Sequence, residues 1–525
     1  MNYLPIQSIS TKRHGTIVIM FRTSVFLLVV TAVSIVFSCC VASAVPPKNI
    51  DTPAQDDDET QRAMSGYRLL VDTPFLKSDF NQEVFDNLWK VWPATLSEKA
   101  RSATPQVRRR MAFQRYGLTA RPDNPDKPLQ YVVDEAGNWT MNCFACHGGK
   151  VYGKPFPGAP NNRFALQTLT EEVRQTKLQN GIPLARMDLG SLVIPLGTTN
   201  GTTNAVVFGM GLMHLRDKNL NVLVSPPKRF VHHDMDAPAW WSFYKRPSLY
   251  IDGFAQKGHR GLMQFLMIPE NDRQFFLEHE DEFRDVYSYI SSLRAPEYNG
   301  EIDEPLAARG QLLFESKCSQ CHGTYGSPSV YPNIRIDLND IGTDPVRLNA
   351  LEVQGRIKYS QSWFAHAGED MEQETVVDPK GYVAPPLDGI WASAPYLHNG
   401  SIPTLWHLLN PDSRPEVWRP VSERFDEKLV GISIEEVSEV PASESDVAIR
   451  RSYFDTRKFG KSNKGHDYPA ELSDSQRRAV LEYLKTLYIM VFGSPLLDEL
   501  VKMSFGIAVV TTLSHNHKKL FCSAS

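Results

Sequence analysis

Apolar side chains recur at helical spacing in several separate stretches of this chain. Residues three and four positions apart share one face of an α-helix, so these stretches predict amphipathic helices. Another helix is predicted to begin at Thr104-Pro105, because proline is favoured in the first turn. Loops rich in Gly, Pro and Asn separate the helices. The stretches cover residues 80–92, 168–179, 273–293, 306–314 and 472–487.

A different pattern occurs near the N-terminus. Residues 25–39 form an apolar run that follows Arg22, and the small residues 42–44 come next. This order is typical of a signal peptide, with cleavage predicted after Ala44. The run is shorter than the roughly 20 apolar residues that cross a bilayer. Two alternatives stay open: Cys39 or Cys40 is a lipoprotein cysteine, or the segment remains as a membrane anchor.

Composition narrows the function classes. The 525 residues carry a formal net charge of −4, which gives no electrostatic reason to expect a nucleic-acid partner. The mean hydropathy of −0.31 is that of a soluble body. Without the leader, the remaining length suggests two or three domains of ordinary size.

Two copies of one spacing carry the chemistry of this sequence. They are Cys143-Phe144-Ala145-Cys146-His147 and Cys318-Ser319-Gln320-Cys321-His322. Two thiols three positions apart on a helical turn can form thioethers with one haem, and the adjacent imidazole then binds the iron. We therefore expect two covalently bound haem c groups, with His147 and His322 as proximal ligands. Because c-type haem is normally attached outside the bacterial cytoplasm, we expect a periplasmic protein.

Zinc sites, thioredoxin-like sites and tight disulfides also use paired cysteines. None of them accounts for a histidine after each pair. The protein has seven cysteines, of which four lie in the motifs, two in the leader and one at Cys522. No cysteine of the body is left for a structural disulfide, which is unusual for an exported chain whose thiols have no other use.

The second motif lies in a recognisable frame. The predicted helix of residues 306–314 runs into it, and the helix of residues 472–487 has Ser473 in position for an N-cap. A helix before the motif and a helix at the end is the arrangement of a small cytochrome c domain. We expect five segments: 1–44 a signal peptide, 45–65 a disordered linker, 66–299 and 300–490 the two haem domains, and 491–525 a tail of unknown structure.

A longer sequence pattern follows the second motif. Residues 384–391 read Ala-Pro-Pro-Leu-Asp-Gly-Ile-Trp, and residues 394–405 read Ala-Pro-Tyr-Leu-His-Asn-Gly-Ser-Ile-Pro-Thr-Leu. With residues 463–468, this order resembles the C-terminal half of the bacterial di-haem cytochrome c peroxidase superfamily. It is most similar to the branch that contains the haem rubber oxygenases. The resemblance covers residues 306–487 well and the N-terminal half more loosely.

The resemblance implies a mainly α protein with two cytochrome c-like haem domains, long loops and little sheet. One haem of this family transfers electrons, and the other can be open to peroxide or dioxygen. For the second haem, His398 is the preferred distal ligand, because it follows in the same domain on a turn that can fold back. His466 is the alternative, and either histidine could instead hydrogen-bond its own loop.

No residue identifies itself as the distal ligand of the first haem. The residues between the motifs offer His232, His233, Met235, His259, Met263 and Met267. This lack of a clear ligand leaves the first haem as the reactive one. Arg260 could stabilise a polarised O–O bond, although an ordinary surface arginine is the simpler interpretation.

The leading hypothesis is an exported di-haem oxidoreductase, with electrons passing from a partner protein or small-molecule donor to the second haem. A peroxide would then be reduced at the open first haem. The alternatives are a non-catalytic electron carrier and a dioxygen-using enzyme similar to the rubber oxygenases. Membrane association is expected only if the leader is retained or lipidated. The sequence identifies no catalytic residue.

Overall fold

The computed structural model describes residues 57–225, 228–326, 328–366 and 374–488. By their contacts these residues belong to one compact unit. The leader, most of the predicted linker and the C-terminal tail lie outside the described residues, as do Cys39, Cys40 and Cys522. Within the described ranges, no helix is both long enough and apolar enough to cross a membrane.

Helices dominate the described residues. They are α1 (Asp57–Asp72), α2 (Gln82–Asn87), α3 (Ala94–Arg101), α4 (Pro105–Tyr116), α5 (Phe144–His147), α6 (Leu166–Gln179), α7 (Arg186–Val193), α8 (Ala205–His214), α9 (His259–Met263), α10 (Arg273–Glu278), α11 (Glu280–Ser292), α12 (Glu304–Lys317), α13 (Ser319–His322), α14 (Leu338–Ile341), α15 (Val346–Ala350), α16 (Val353–Ser360), α17 (Leu405–Leu409), α18 (Val447–Arg450) and α19 (Asp474–Lys485).

The strands are short and antiparallel. They are β1 (Phe80–Asn81), β2 (Tyr131–Val133), β3 (Asn138–Met141), β4 (Lys150–Val151), β5 (Lys154–Pro155), β6 (Ser248–Leu249), β7 (Ala255–Gln256), β8 (Arg335–Asp337), β9 (Gly381–Val383), β10 (Val417–Asp426), β11 (Gly431–Glu436) and β12 (Phe454–Asp455). The two larger sheets have the orders β1-β3-β2 and β11-β10-β12. In β8–β9, Ile336 pairs with Tyr382. The expectation of a mainly α fold is confirmed.

Two helix pairs cross in the same way, one near each motif. In the α1–α11 pair, a Cβ on Gly66 would lie 2.1 Å from the Asp285 carbonyl oxygen and 2.9 Å from Cβ of Tyr289. In the α12–α19 pair, a Cβ on Gly310 would lie 1.9 Å from the Ala479 carbonyl oxygen and 3.0 Å from Cβ of Tyr483. At each crossing a glycine therefore packs against a backbone carbonyl and a tyrosine of the other helix. Only glycine, which has no Cβ, permits so close an approach.

Most helix predictions from the sequence are confirmed. Helix α4 begins at Pro105, and the Thr104 side chain caps it by accepting from the Val107 backbone N–H. Helix α19 has Ser473 as its N-cap, in a capping box with Gln476. The stretch 273–293 is divided into α10 and α11 at His279, and residues 80–92 contain β1, α2 and a turn of 3₁₀ helix.

The start of α1 differs from the prediction for the linker. Residues 57–65 belong to this helix rather than to a disordered segment. The acidic residues that suggested disorder form its first turn, where negative charge is favourable. Downstream, Ala63, Tyr67, Leu70 and Val71 are buried in the same core as Phe283, Val286 and Tyr289 of α11. The domain boundaries themselves remain predictions.

Candidate functional site

Each Cys-x-x-Cys-His motif lies on one short helical turn. Cys143 precedes α5 and Cys318 precedes α13, and each turn ends at its histidine. The four cysteines form no disulfide. Burial raises the pKa of Cys143 to about 12 and that of Cys318 to about 11, so both thiols are neutral. Within the described ranges, no three His, Cys, Asp or Glu side chains are grouped to hold a metal ion.

The glycines after the histidines serve backbone packing. A Cβ on Gly149 would lie 2.0 Å from the Pro160 carbonyl oxygen, and one on Gly323 would lie 2.0 Å from that of Val330. Gly323 also has a φ of +83°, a conformation that favours glycine. In both motifs the chain therefore folds back tightly against the short turn that carries its Cys-x-x-Cys-His residues, 143–147 or 318–322, which is its attachment turn.

The two motif histidines are held by the same contact. Nδ1 of His147 lies 3.0 Å from the Pro238 carbonyl oxygen, and Nδ1 of His322 lies 2.9 Å from that of Pro385. A carbonyl accepts only from an N–H, so Nδ1 carries the proton and Nε2 keeps its lone pair. Burial lowers the pKa of His147 to about 4 and lowers that of His322 as well. Both imidazoles are therefore neutral and prepared to bind a metal through Nε2.

Trp240 packs against the first of these histidines. Its ring is stacked on His147, with centroids 4.5 Å apart and an interplanar angle of 23°. The next residue, Trp241, is fully buried and donates from Nε1 to the Asp388 carbonyl oxygen at 2.9 Å. A tryptophan pair thus connects the first attachment turn to the segment that follows Pro385.

One large cavity reaches both motifs. Its volume is about 1730 Å³, and its walls include all four motif cysteines, His147 and His322. Single small-molecule sites have volumes of roughly 300–1,000 Å³, so this space exceeds that of one ordinary ligand. Its wall from the first half of the chain is mainly apolar, with contributions that include Phe208, Leu212, Leu266, Phe283, Val286 and Ile290.

His466 faces His322 across this cavity. The two ring centroids are 6.1 Å apart. Two metal–nitrogen bonds of about 2 Å, with about 1 Å from each nitrogen to its ring centre, span about 6 Å. The spacing therefore fits one iron between the two imidazoles. Burial and the nearby His322 lower the pKa of His466 to about 3, which keeps it neutral.

The backbone at His466 is constrained. Its φ is +53°, an uncommon conformation for a residue with a side chain. Its N–H donates to the Ile341 carbonyl oxygen at 2.7 Å, and the preceding Gly465 packs against the backbone of Gly342 and Thr343. Strained backbone of this kind is often found where a side chain must be aimed.

His398 lines the same cavity but has other neighbours. Its ring lies against Tyr382, with centroids 4.5 Å apart and planes inclined by 36°. Burial, with help from Arg347 and His233, lowers the pKa of His398 to about 3. Its backbone carbonyl accepts from the Asp236 N–H at 2.9 Å. The geometry thus favours His466 over His398 opposite His322.

Most candidates for the first site lie away from the cavity. Of the six candidates that the sequence suggested, only Met235 lines it, together with Met187 and His214, which were not among those candidates. His259 instead contacts Glu280 through Nε2 at 2.9 Å. Arg260 forms an ion pair with the same carboxylate at 2.6 Å and lies over the Trp363 ring. Arg260 is therefore a structural arginine in this fold.

Two polar residues of the cavity wall carry no recognisable sequence signal. Asp236 is half-buried in the cavity wall, and desolvation raises the pKa of its carboxyl group well above the ordinary value. Arg246 also lines the cavity. Both lie within a few residues of Trp240 and Trp241 in sequence. Only their place in the cavity wall makes them candidate functional residues.

Comparison with known proteins gives partial matches. The model of a family described as RoxA-like, cytochrome c-like matches residues 381–419. The uncharacterized protein y4iM of Sinorhizobium fredii is 31% identical in an alignment of 236 positions that covers 38% of this chain and 53% of that protein. The uncharacterized protein y4iJ of the same organism is 27% identical in an alignment of 262 positions that covers 38% of this chain and 42% of that protein. The chain thus spans about half the length of these relatives.

The family match supports a c-type cytochrome. It covers β9, the loop with His398, α17 and the start of β10. A cytochrome c-like domain implies covalently bound haem c, and the two attachment turns supply the required thiols and imidazoles.

Proposed function

We propose that this protein is an exported di-haem c-type cytochrome that acts as an oxidoreductase. One haem would be attached at Cys143 and Cys146 and the other at Cys318 and Cys321. The observation that carries the proposal is a single cavity that reaches both attachment turns, with His466 facing His322. No imidazole of the described residues makes the corresponding ring contact with His147.

Each half of the chain would form one cytochrome c-like unit. The repeated crossing, Gly66 under Tyr289 and Gly310 under Tyr483, supports this division because it pairs an early and a late helix around each motif. The distal ligand of the second haem would be His466, and His398 would hold the loop beside it. This assignment revises the preference from the sequence on the grounds of distance.

The second haem would accept electrons from a redox partner protein or a small-molecule donor. A haem with an open face supplies an iron that binds peroxide or dioxygen. Reduction of one peroxide to two waters consumes two electrons and two protons, which the donor and solvent must provide. Asp236 is a half-buried carboxyl of the cavity wall whose pKa is raised by desolvation, and Trp240 with Trp241 bridges the two attachment regions.

A second candidate is a dioxygen-using enzyme that acts on an apolar substrate. The apolar wall of the first half favours it, and α8 adds two glycines that leave space. A Cβ on Gly209 would meet nothing within 4 Å, and one on Gly211 would make only ordinary contacts at 3.7 Å or more. Such an enzyme incorporates oxygen without an external electron donor, which separates it from the peroxide hypothesis.

Replacement of the two candidate ligands tests the assignment. We expect His466→Ala to convert one low-spin haem to the high-spin form, because the iron loses its sixth ligand. We expect His398→Ala to leave the spin state of both haems unchanged. Optical spectra of the oxidised and reduced proteins give the readout. The reverse outcome would support His398 as the ligand and reject His466.

The cellular location is part of the proposal. Export rests on the leader pattern before Ala44 and on the chemistry of haem attachment. Mass spectrometry of the protein from its native host, with its N-terminus identified, distinguishes cleavage after Ala44 from lipidation at Cys39 or Cys40.

A further inference from the structure

Arg246 occupies an unusual place for a guanidinium group. It follows the 3₁₀ helix Trp240–Lys245 and lines the cavity that reaches both attachment turns. Its Nη2 donates to the Tyr250 carbonyl oxygen at 2.7 Å. Among the described residues this is the one hydrogen bond of its side chain, so most of its N–H donors lack a protein partner.

No carboxylate balances this charge. Within the described ranges, Arg246 forms no ion pair at 4.0 Å or less. Asp252, a carboxylate whose charge acts on Arg246, is fully buried and already paired with Arg356 at 2.8 Å and Arg347 at 3.4 Å. Lys257 lies close enough to add a second positive charge.

An arginine in this position destabilises the fold unless an anion neutralises its charge. Guanidinium stays protonated in proteins, and a buried charge is destabilising unless it is paired and hydrogen-bonded. Burial lowers the pKa of Arg246, which expresses the same penalty. Arg246 is half-buried in the wall of a cavity that is otherwise mainly apolar, so an anion held in that cavity would supply the hydrogen-bond acceptor that the protein does not.

We propose that Arg246 binds a propionate carboxylate of one of the two haems. Its planar fork of N–H donors matches a carboxylate, with which arginine forms short, charge-assisted hydrogen bonds. This inference rests on the proposed function, since it requires haem in the cavity. A carboxylate from a solute or substrate has the same chemistry, and the experiment below separates the two sources.

The consequence is electrostatic. A cation beside a propionate offsets its negative charge and makes the addition of an electron to the iron easier. Removal of the cation therefore lowers the reduction potential of the haem concerned. We expect a change of about tenfold in the reduction equilibrium, which is 59 mV for a one-electron couple.

The experiment compares Arg246→Gln and Arg246→Lys in the full-length holoprotein. Redox titration is followed optically in a buffer without carboxylates. We expect Arg246→Gln to lower the reduction potential of one haem, which corresponds to a change of about tenfold in its reduction equilibrium constant. We expect Arg246→Lys to keep most of the original reduction potential. Arg109→Gln is the matched control, because Arg109 also has a pKa lowered by burial and donates to a carbonyl, that of Asp126, but does not line the cavity.

Three results would overturn the inference. In the first, both reduction potentials stay unchanged in Arg246→Gln. In the second, Arg109→Gln shifts a reduction potential as much as Arg246→Gln does. In the third, Arg246→Gln differs from the wild-type protein only after acetate is added. The last result would identify a solute carboxylate. A haem count by pyridine haemochrome accompanies each titration. Fewer than two haems in the wild-type protein contradicts the proposed function, whereas two haems with unshifted potentials contradict only the role of Arg246.

Discussion

At the scale of single residues, the attachment turns could be predicted and their surroundings could not. The spacing of Cys143, Cys146 and His147 is local, and covalent chemistry demands it. The carbonyl that orients each histidine belongs to a proline 91 or 63 positions away in sequence. No local pattern announces such a partner.

The two candidates for the distal ligand of the second haem also could not be separated by sequence alone. The sequence favours His398 because it follows the second motif in the same domain on a turn that can fold back. His466 lies in a less distinctive segment, but its backbone contact with Ile341 aims it at His322. Only the three-dimensional arrangement separates a histidine that faces His322 from one that packs in another part of the cavity wall.

A buried histidine outside the haem sites gives a prediction about pH. His407 is buried on α17, and its Nδ1 lies 2.8 Å from Oγ1 of Thr404. Burial lowers its pKa to about 4, below the value of about 6.5 in an unfolded chain. The unfolded state therefore binds more protons as the pH falls, and the free energy of unfolding decreases between pH 6.5 and pH 4.

We expect His407→Gln to remove this part of the acid sensitivity. Between pH 7 and pH 5 the variant should lose about 2 kcal/mol less stability than the wild-type protein. Urea unfolding at a series of pH values provides the measurement. An identical loss of stability in both proteins would contradict the assignment.

At the scale of elements, the sequence predicted the helices that have clear caps and apolar faces. Helix α19 is an example, since the Ser473 capping box and Leu481 and Leu484 are readable signals. The β10–β11 hairpin was missed. Its strands contain many charged residues, such as Arg419 and Glu435, which pair with each other across the hairpin at 2.7 Å. The apolar pattern on which strand prediction relies is weak there.

The glycine crossings yield a prediction at this scale. We expect Gly310→Ala to destabilise the protein by at least about 2 kcal/mol, because the added methyl group overlaps the Ala479 carbonyl and the helices must separate. Thermal unfolding of the two proteins measures the effect.

Gly209→Ala is the matched control. Gly209 also lies within a helix, but a Cβ there would meet nothing within 4 Å. Alanine is a better helix former than glycine by about 1 kcal/mol, so this variant should be as stable as the wild-type protein or more so. Equal destabilisation by both alanines would show that the crossing does not depend on Gly310.

At the scale of the whole molecule, long-range ion pairs join the two halves of the chain. Arg115 binds both Glu172, at 2.6 Å, and Asp446, at 2.9 Å. Lys461 is paired with Asp234 at 2.9 Å, and both side chains are buried. The Arg115–Asp446 and Lys461–Asp234 contacts therefore join the first half of the chain to the second.

The sequence could not predict this shared cavity. The sequence indicated two haem sites, of which only the second had a candidate for the distal ligand. The cavity wall that connects the two sites comes from residues distant in sequence, such as Arg246 and His466. The central claim is that the second haem is closed by two histidines and that the first is open. The two irons should then differ in their response to a small ligand.

Titration of the reduced full-length protein with carbon monoxide tests this claim most directly. With two haems per chain established by pyridine haemochrome, we predict that one carbon monoxide binds per chain and that the second haem keeps its low-spin spectrum. Binding of no carbon monoxide, or of two molecules per chain, would contradict the account.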